Sequence, residues 1–392
     1  MLSYYRKSII KLVSNLRLLE QDTGNLELLV EIQEEVSKKI TYIESRIGQL
    51  KEKASNFKKD LRQKRLPKEK SSELKEKRRT IEERVKEYQW LLFVFRTVGD
   101  GVAFLYLDKW DIKPLAYKSD SPDYKETPGN IGGKTGIKGE KLMVSIGAAQ
   151  GVAVLRTDLT NSIRYGDVCF LDGPTPRLIE VKSSNNTNAR VSRQIEELKK
   201  VQAYLDDDYA FDLRGFPLVN RVDASTPEVT YIKSLNELID QALQNRYAYR
   251  EVETGVFYYV QTAGTEPRFT EFADKVRKPL FFYLNTVKNN SDWITYYPFT
   301  LSIENPENVY LFLEGEIQIM IFVDILTIGS IAEEKGYETN FINEPGWIVE
   351  FKEANGTGTF KISRHYLGRV ALEFSSLRWL LSQILDGLQQ RI

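Results

Sequence analysis

Apolar residues along the first part of the chain recur at alternating intervals of mostly three and four. They fall at Leu29, Ile32, Val36, Ile40, Ile43, Ile47, Leu50, Ala54, Phe57 and Leu61. That spacing predicts a helix with a heptad seam along one side. Residues 65–70 (RLPKEK) place Pro67 where such a helix must stop. A second helical pattern follows at Leu74, Ile81, Val85, Tyr88, Leu92 and Phe95. Two facing seams joined by a short turn predict a long antiparallel helical hairpin, or coiled coil, over residues 1–97.

Residues 91–107 are strongly apolar and carry the chain into a globular region. Residues 119–138 are rich in Gly, Pro and small polar side chains and predict a long loop. The pattern then predicts a helix at 140–155, a strand at 162–171, a turn at 172–174 and a strand at 177–182. A polar loop at 183–189 and an amphipathic helix at 191–205 follow, the helix with Ile195, Leu198, Val201 and Leu205 on one face. Strands are expected at 217–222 and 229–232, and a helix at 235–244. Further on, strands are expected at 256–260, 295–302 and 309–312, a hairpin from 347–353 and 357–362, and a terminal helix at 371–389. The most hydrophobic run, 317–332, is interrupted by Gln318, Asp324 and Gly329. It is too short to cross a bilayer and reads as buried strand or helix. The expected fold class is a multidomain α/β (α+β) protein. Its parts are a helical hairpin at 1–97, a central domain at 98–250 and an α+β accessory domain at 251–392.

The chain has 392 residues, with 55 Lys and Arg against 55 Asp and Glu, one cysteine (Cys169) and one histidine (His365). One cysteine excludes an internal disulfide and a Cys-rich zinc site; one histidine excludes a His-cluster metal site. Any catalysis must rest on carboxylates, lysines, hydroxyls or a bound cation. Arg6, Lys7, Lys11 and Arg17 break up the first apolar stretch, so a signal peptide is not expected, and the reading is a soluble cytoplasmic protein without a membrane partner. The zero net charge divides into +7 for residues 1–100, 0 for 101–250 and −7 for 251–392. Between residues 51 and 79 stand 13 basic and five acidic side chains. This positive tip is either a solvated turn or an arm that contacts nucleic-acid phosphates. Apart from Phe57 in the seam it carries no aromatic residue, which argues against a base-stacking platform. The run G-N-I-G-G-K-T at 129–135 has three residues where a phosphate-binding P-loop needs four, and no hydrophobic strand leads into it.

The chemically informative stretch is 164–184, RYGDVCFLDGPTPRLIEVKSS. Asp167 stands on one expected strand and Glu180-Val181-Lys182 on the next. Alternation puts Glu180 and Lys182 on one face of that strand, and a hairpin brings Asp167 alongside. Two carboxylates and an ammonium then converge where a divalent cation fits; the structural alternative is a set of ion pairs on a solvated sheet face. The same tripeptide pattern recurs at Glu73–Lys75, Glu197–Lys199, Glu333–Lys335 and Glu350–Lys352. Only the last competes, being on an expected strand, with Asp324 as its nearest strand-borne aspartate. Cys169 reads as a packing residue and His365 as structural. Arg190 and Arg193 fit either phosphate contact or a solvated helix face. Phe281, Phe282, Tyr283, Tyr296 and Tyr297 read as core.

The order helix, strand with Asp167, turn, strand with Glu180-Val181-Lys182, helix resembles the PD-(D/E)XK nuclease superfamily over roughly residues 100–250. Gly166 stands where that family commonly has proline. The resemblance implies a restriction-endonuclease-like mixed sheet flanked by helices. It implies that Asp167 and Glu180, with Val181 and Glu140, hold Mg²⁺ (or Mn²⁺ in its place). Lys182 would orient or activate the attacking water, and Gln194 would join the catalytic set from the following helix. The implied activity is Mg²⁺-dependent phosphodiester hydrolysis, most simply as a DNA endonuclease in prokaryotic antiviral defence, with DNA preferred over RNA. Repair or recombination is the alternative within the same chemistry, and a non-catalytic nucleic-acid-binding scaffold is the rival outside it. The expected assembly is a homo-oligomer formed through the hairpin or the C-terminal domain, or a complex with a partner protein.

Overall fold

The computed structural model describes every residue except 64–65, 127–130, 133–135, 174, 182–188, 223, 290–291, 343, 355, 357 and 390–392, with backbone alone at 63, 189–191 and 388–389. The chain divides into two compact units, Met1–Arg221 and Val222–Ile392.

The first unit opens with three helices, α1 (Leu2–Gln21), α2 (Leu26–Gln63) and α3 (Lys68–Tyr106). Asn25 starts α2 by accepting the Leu28 N–H at 3.0 Å, and Pro67 caps α3 where the sequence demanded a break. The expected seam is present. Leu29, Ile32, Val36, Ile40, Ile43 and Ile47 are buried, helped by Leu12, Val13, Leu16 and Leu19 of α1. Farther out Ala54 and Phe57 are only half-buried, since beyond α1 two helices alone cannot enclose a seam. The α2/α3 pair is thus a packed three-helix base that continues as a thinner arm.

After a short helix α4 (Lys109–Ile112) come α5 (Ile137–Ala149) and the strands β1 (Val154–Arg156), β2 (Val168–Phe170) and β3 (Arg177–Ile179). Helix α6 (Ala189–Asp207) and the strands β4 (Tyr209–Leu213) and β5 (Phe216–Asn220) complete the unit. The expected helix at 140–155 ends earlier because Gly151, at φ +76°, turns the chain left-handed and Val152 N–H closes on Gly147 O at 2.8 Å. The expected strand at 162–171 shrinks to three residues, since Thr157–Leu159 form a 3₁₀ turn and the segment up to Ile163 is a buried loop on α3. The expected mixed sheet is also corrected. β1, β2 and β3 form an antiparallel meander, and β4 pairs with β5 across the tight turn at Gly215. A local hairpin closes its loop at less entropic cost than a return to β1.

The expected break after residue 97 is absent. α3 runs through it, and α2 and α3 are tied to the β1 segment by buried polar bonds. Gln33 donates to Val154 O at 2.9 Å and accepts from Arg156 N–H at 3.0 Å. Asp100 accepts from the backbone N–H groups of Asn161 and Ser162 and from both side chains, at 2.7–2.8 Å.

The second unit begins near residue 222 rather than 251. Helix α7 (Ile232–Asn245) buries Leu235, Leu238, Ile239 and Ala242 and leads into β6 (Tyr247–Glu253) and β7 (Val256–Thr262). Then follow β8 (Pro279–Tyr283), α8 (Leu284–Val287), α9 (Phe299–Ser302), α10 (Pro306–Glu314), β9 (Ile317–Asp324) and α11 (Ile325–Glu334). The unit closes with β10 (Tyr337–Phe341), β11 (Trp347–Glu353), β12 (Thr359–Ser363), α12 (Arg364–Leu372) and α13 (Leu377–Gln389). Two antiparallel sheets, β6-β7-β9-β8 and β10-β11-β12, organise it. Phe257, Tyr259, Phe272, Met320 and Phe322 form an aromatic core on the first sheet. The expected hairpin of β11 and β12 is present. The expected strands at 295–302 and 309–312 are instead partly or wholly helical, and Phe374, at φ +57°, lies in the break between α12 and α13. Phe281, expected in the core, is half exposed at 49%. Among the described residues no helix is long and apolar enough to cross a membrane.

Glycines of the helical pair give a direct test. A Cβ at Gly99 would sit 2.1 Å from Leu159 O, whereas one at exposed Gly48 meets nothing within 4 Å. Gly99→Ala is expected to lose about 2–4 kcal/mol by separating α3 from the loop, and Gly48→Ala to gain up to about 1 kcal/mol in helix propensity, both read by urea unfolding.

Candidate functional site

The antiparallel pairing of β2 with β3 aligns Val168 with Ile179, Cys169 with Leu178 and Phe170 with Arg177. Asp167 and Glu180 lie just beyond these pairs, one immediately before β2 and the other immediately after β3. Two bonds hold the end closed: Asp167 N–H donates to Ile179 O at 2.8 Å, and Val181 N–H donates to Asp167 Oδ2 at 2.9 Å. Both acidic residues are half-buried. Gly166 has a local cause. Its φ is +68°, and a Cβ there would lie 3.1 Å from Ile179 N and O. Proline, fixed near φ −65°, cannot occupy that position.

The other expected site residues are distributed around this pair. Val181 packs its side chain with Val144, Val154 and Val168 beneath α5, and a Cβ on Gly139 would come within 3.0 Å of it. Gln194 is half-buried on α6, on the helical face that carries buried Val201 and Leu205 and that reaches β3, where Gln202 accepts the Leu178 N–H at 3.5 Å. Lys182, the expected activator of water, lies outside the described residues, as do most of 183–189. Glu140 is on α5 as expected but is only 2% exposed, with Oε2 bound to Arg156 Nε at 3.2 Å. Among the described residues no group of three or more His, Cys, Asp or Glu side chains is placed to hold one metal ion. Glu140 therefore does not join Asp167 and Glu180 as a third carboxylate on a common ion, because the neighbouring guanidinium already answers its charge.

Arg156 is the residue that sequence reasoning missed. It is 2% exposed, and besides Glu140 it reaches Ser37 Oγ at 3.1 Å and Asp158 Oδ2 at 2.9 Å. Arg96 extends the network, donating to Asp158 O at 3.1 Å and to Glu44 Oε1 at 3.5 Å. Glu44 Oε2 in turn accepts the N–H groups of Ile131 and Gly132, at 2.7 and 3.0 Å, fixing the middle of the glycine-rich loop against α2. Burial holds the Arg96 guanidinium below its ordinary range and brings Arg164 down to about 10, while the facing carboxylates pull the other way. The available signal was a charged residue inside an apolar run: Arg96 and Asp100 within 91–107, and Arg156 and Asp158 after Val152-Ala153-Val154-Leu155.

Rival sites resolve into structural roles. Glu350 and Lys352 lie on β11 and Asp324 on β9, which belong to different sheets. Asp324 Oδ1 also caps α11 through Leu326 N–H at 3.2 Å. Cys169 is buried, and burial alone pushes its thiol up to about 12, far from a reactive thiolate. Lys288 is buried and pushed down to about 7, but its ammonium closes the C-terminal end of α10 on the carbonyls of Phe312 and Leu313. In the second unit a cleft of about 460 Å³ runs past Glu253, Arg378 and Trp379. There Glu253 is engaged by Ser376 Oγ at 2.8 Å and by the Leu377 N–H at the start of α13.

The bond between Asp167 and Val181 makes a specific expectation for stability. In EDTA, Asp167→Asn keeps an acceptor for Val181 N–H and removes one charge from the end that also carries Glu180. It should unfold within about 0.5 kcal/mol of the wild type or later, whereas Asp167→Ala should lose about 1–2 kcal/mol. No family model matches the chain, and neither a curated protein nor a solved structure matches it.

Proposed function

We propose that the first unit is a Mg²⁺-dependent nuclease whose site lies where β2 begins and β3 ends. The observation that carries this reading is the bond from Val181 N–H to Asp167 Oδ2 at 2.9 Å, which ties Asp167 to the residue next to Glu180. It is supported by the order α5-β1-β2-β3-α6, which follows the element order of the PD-(D/E)XK superfamily. The donor set suits the ion. Mg²⁺ takes hard oxygen ligands, commonly one or two carboxylates, and keeps several waters and substrate phosphates. Asp167 Oδ1, the Glu180 carboxylate and the Val181 carbonyl would hold it, with Oδ2 of Asp167 already fixed by Val181 N–H. When bound, such an ion supplies a Lewis acid for the phosphate and a lowered pKa for water.

The chain's own residues do the rest. The bond from Val181 N–H holds the Asp167 carboxylate before any substrate arrives. Lys182 follows Glu180 and Val181 in the sequence and is the residue that would orient the attacking water, with Gln194 of α6 joining the catalytic set. Glu140 acts behind the site by holding Arg156, so that α5 stays packed on β1. DNA in preference to RNA is the substrate we assign, and a cytoplasmic role in prokaryotic defence against foreign DNA is the biological setting. The helical arm serves nucleic-acid contact or oligomerisation. A second reading, a non-catalytic nucleic-acid-binding scaffold, draws on one observation: Glu140 is committed to Arg156.

Purified protein incubated with supercoiled plasmid is expected to nick or linearise it with Mg²⁺ or Mn²⁺ and not with EDTA. Glu180→Gln and Lys182→Met should each lower the rate about 10²-fold or more, as removal of a metal ligand or an activating group does. Cleavage that persists in both variants would reject this site, and salt-sensitive binding without cleavage of DNA or RNA would favour the scaffold.

A further inference from the structure

Seven polar positions of α2, at 33, 37, 44, 51, 55, 58 and 62, are separated by four, seven, seven, four, three and four residues. At 100° per residue all seven fall on one narrow stripe of the helix. Its first three members, Gln33, Ser37 and Glu44, point at the central segment, where they bond Val154, Arg156, Ile131 and Gly132. Its last four are Lys51, Ser55, Lys58 and Arg62, all exposed, with exposed Lys59 at the margin. The row of cations on the arm therefore continues, within the same unit, the side of α2 on which the candidate site's segment is mounted.

The cations of the arm are not equivalent: three neighbours on α3 are internally paired, although Lys68, Lys70, Lys75, Arg84 and Lys86 of that helix make no ion pair among the described residues. On α3, Lys77 pairs with Glu73 at 2.5 Å, Arg78 with Glu82 at 2.7 Å and Arg79 with Glu76 at 2.7 Å. Among the described residues Lys51, Lys58, Lys59 and Arg62 of α2 make no ion pair. Uncompensated cations on one face of a rigid helix are what a polyanion of regular charge spacing recognises. From Lys51 to Arg62 the row is about 16 Å long, and duplex DNA presents a phosphate charge about every 1.7 Å along its axis. Among the described residues the arm carries no exposed aromatic or aliphatic cluster to insert into a lipid surface, since Phe57 and Leu61 stay in the seam.

We infer that the α2 row Lys51, Lys58 and Arg62 is a backbone-contacting guide for duplex DNA, leading the duplex along the arm toward the Asp167–Glu180 end. This rests on the nuclease reading for its destination but not for the contact itself. The test is fluorescence anisotropy of a labelled 20-base-pair duplex with the full chain in EDTA, at several KCl concentrations. Replacing Lys51, Lys58 and Arg62 together by Gln is expected to weaken binding at least tenfold at 100 mM salt and to reduce the salt slope by about three. Replacing Lys77, Arg78 and Arg79 together by Gln removes the same charge and should have less than half that effect. Ser55→Lys adds a cation to the row; it should tighten binding several-fold and raise the slope by about one, a gain that misfolding cannot produce. Equal losses in the two triple variants, or no gain from Ser55→Lys, would overturn the guide. So would loss of binding to phosphatidylserine vesicles in the first triple variant with DNA binding unchanged. A wild type that shows this row-dependent binding but never cleaves would leave the guide standing and reject the nuclease. Asp167→Asn should abolish cleavage and leave binding as it is.

Discussion

Arg156 is the constraint on which the first unit depends. Its guanidinium, almost wholly removed from water, is held by Glu140 of α5, Asp158 of the following turn and Ser37 of α2. Those partners belong to three parts of the unit, so one buried cation fixes the helical base, the sheet and the helix over the sheet together. Desolvating a guanidinium and two carboxylates offsets most of what their attraction returns, so such a network is poor as a source of net stability. Its consequence is positional. Removing any one member leaves a buried charge unanswered, which admits few alternative packings of α2 against β1. The Asp100 bonds to Asn161 and Ser162 repeat the device one step along, fixing the loop that leads to Tyr165, Gly166 and Asp167.

With the sheet so mounted, its open end is where chemistry is plausible on physical grounds. Asp167 and Glu180 stand at that end, both half-buried, beside a pair of strands only three residues long. Nothing in the packing of β2 and β3 requires acids there; their cores are satisfied by Val168, Cys169 and Leu178. The structure also corrects the expected ligand set, since Glu140 supports the site through Arg156 and does not complete a group of three carboxylates with Asp167 and Glu180.

Local periodicity made some of this legible. The heptad seam, the stop at Pro67 and the β11–β12 hairpin are each specified by residues a few positions apart. The antiparallel pairing of β2 with β3 was legible too, because one short turn joins them. What escaped was long-range. Gln33 meets Arg156 across 123 positions and Arg96 meets Asp158 across 62, so no window reveals them. For the same reason the expected boundary at residue 97 fell inside a single unit. Another miss had a readable signal. Residues 309–312 fit a strand by composition, but Asn305 before Pro306 is a helix start, and Asn305 Oδ1 does accept the Glu307 N–H at 2.9 Å. Apolar runs are ambiguous until their caps are read.

The central claim is that Asp167 and Glu180, at the β2–β3 end, form a cation site. Mn²⁺ titration followed by electron paramagnetic resonance measures this without substrate and without turnover. The account predicts one class of bound Mn²⁺ in the wild-type chain, displaced by Mg²⁺ and weakened at least tenfold in both Asp167→Asn and Glu180→Gln. Binding that is unchanged in the two variants, or absent from the folded wild-type protein, would contradict it.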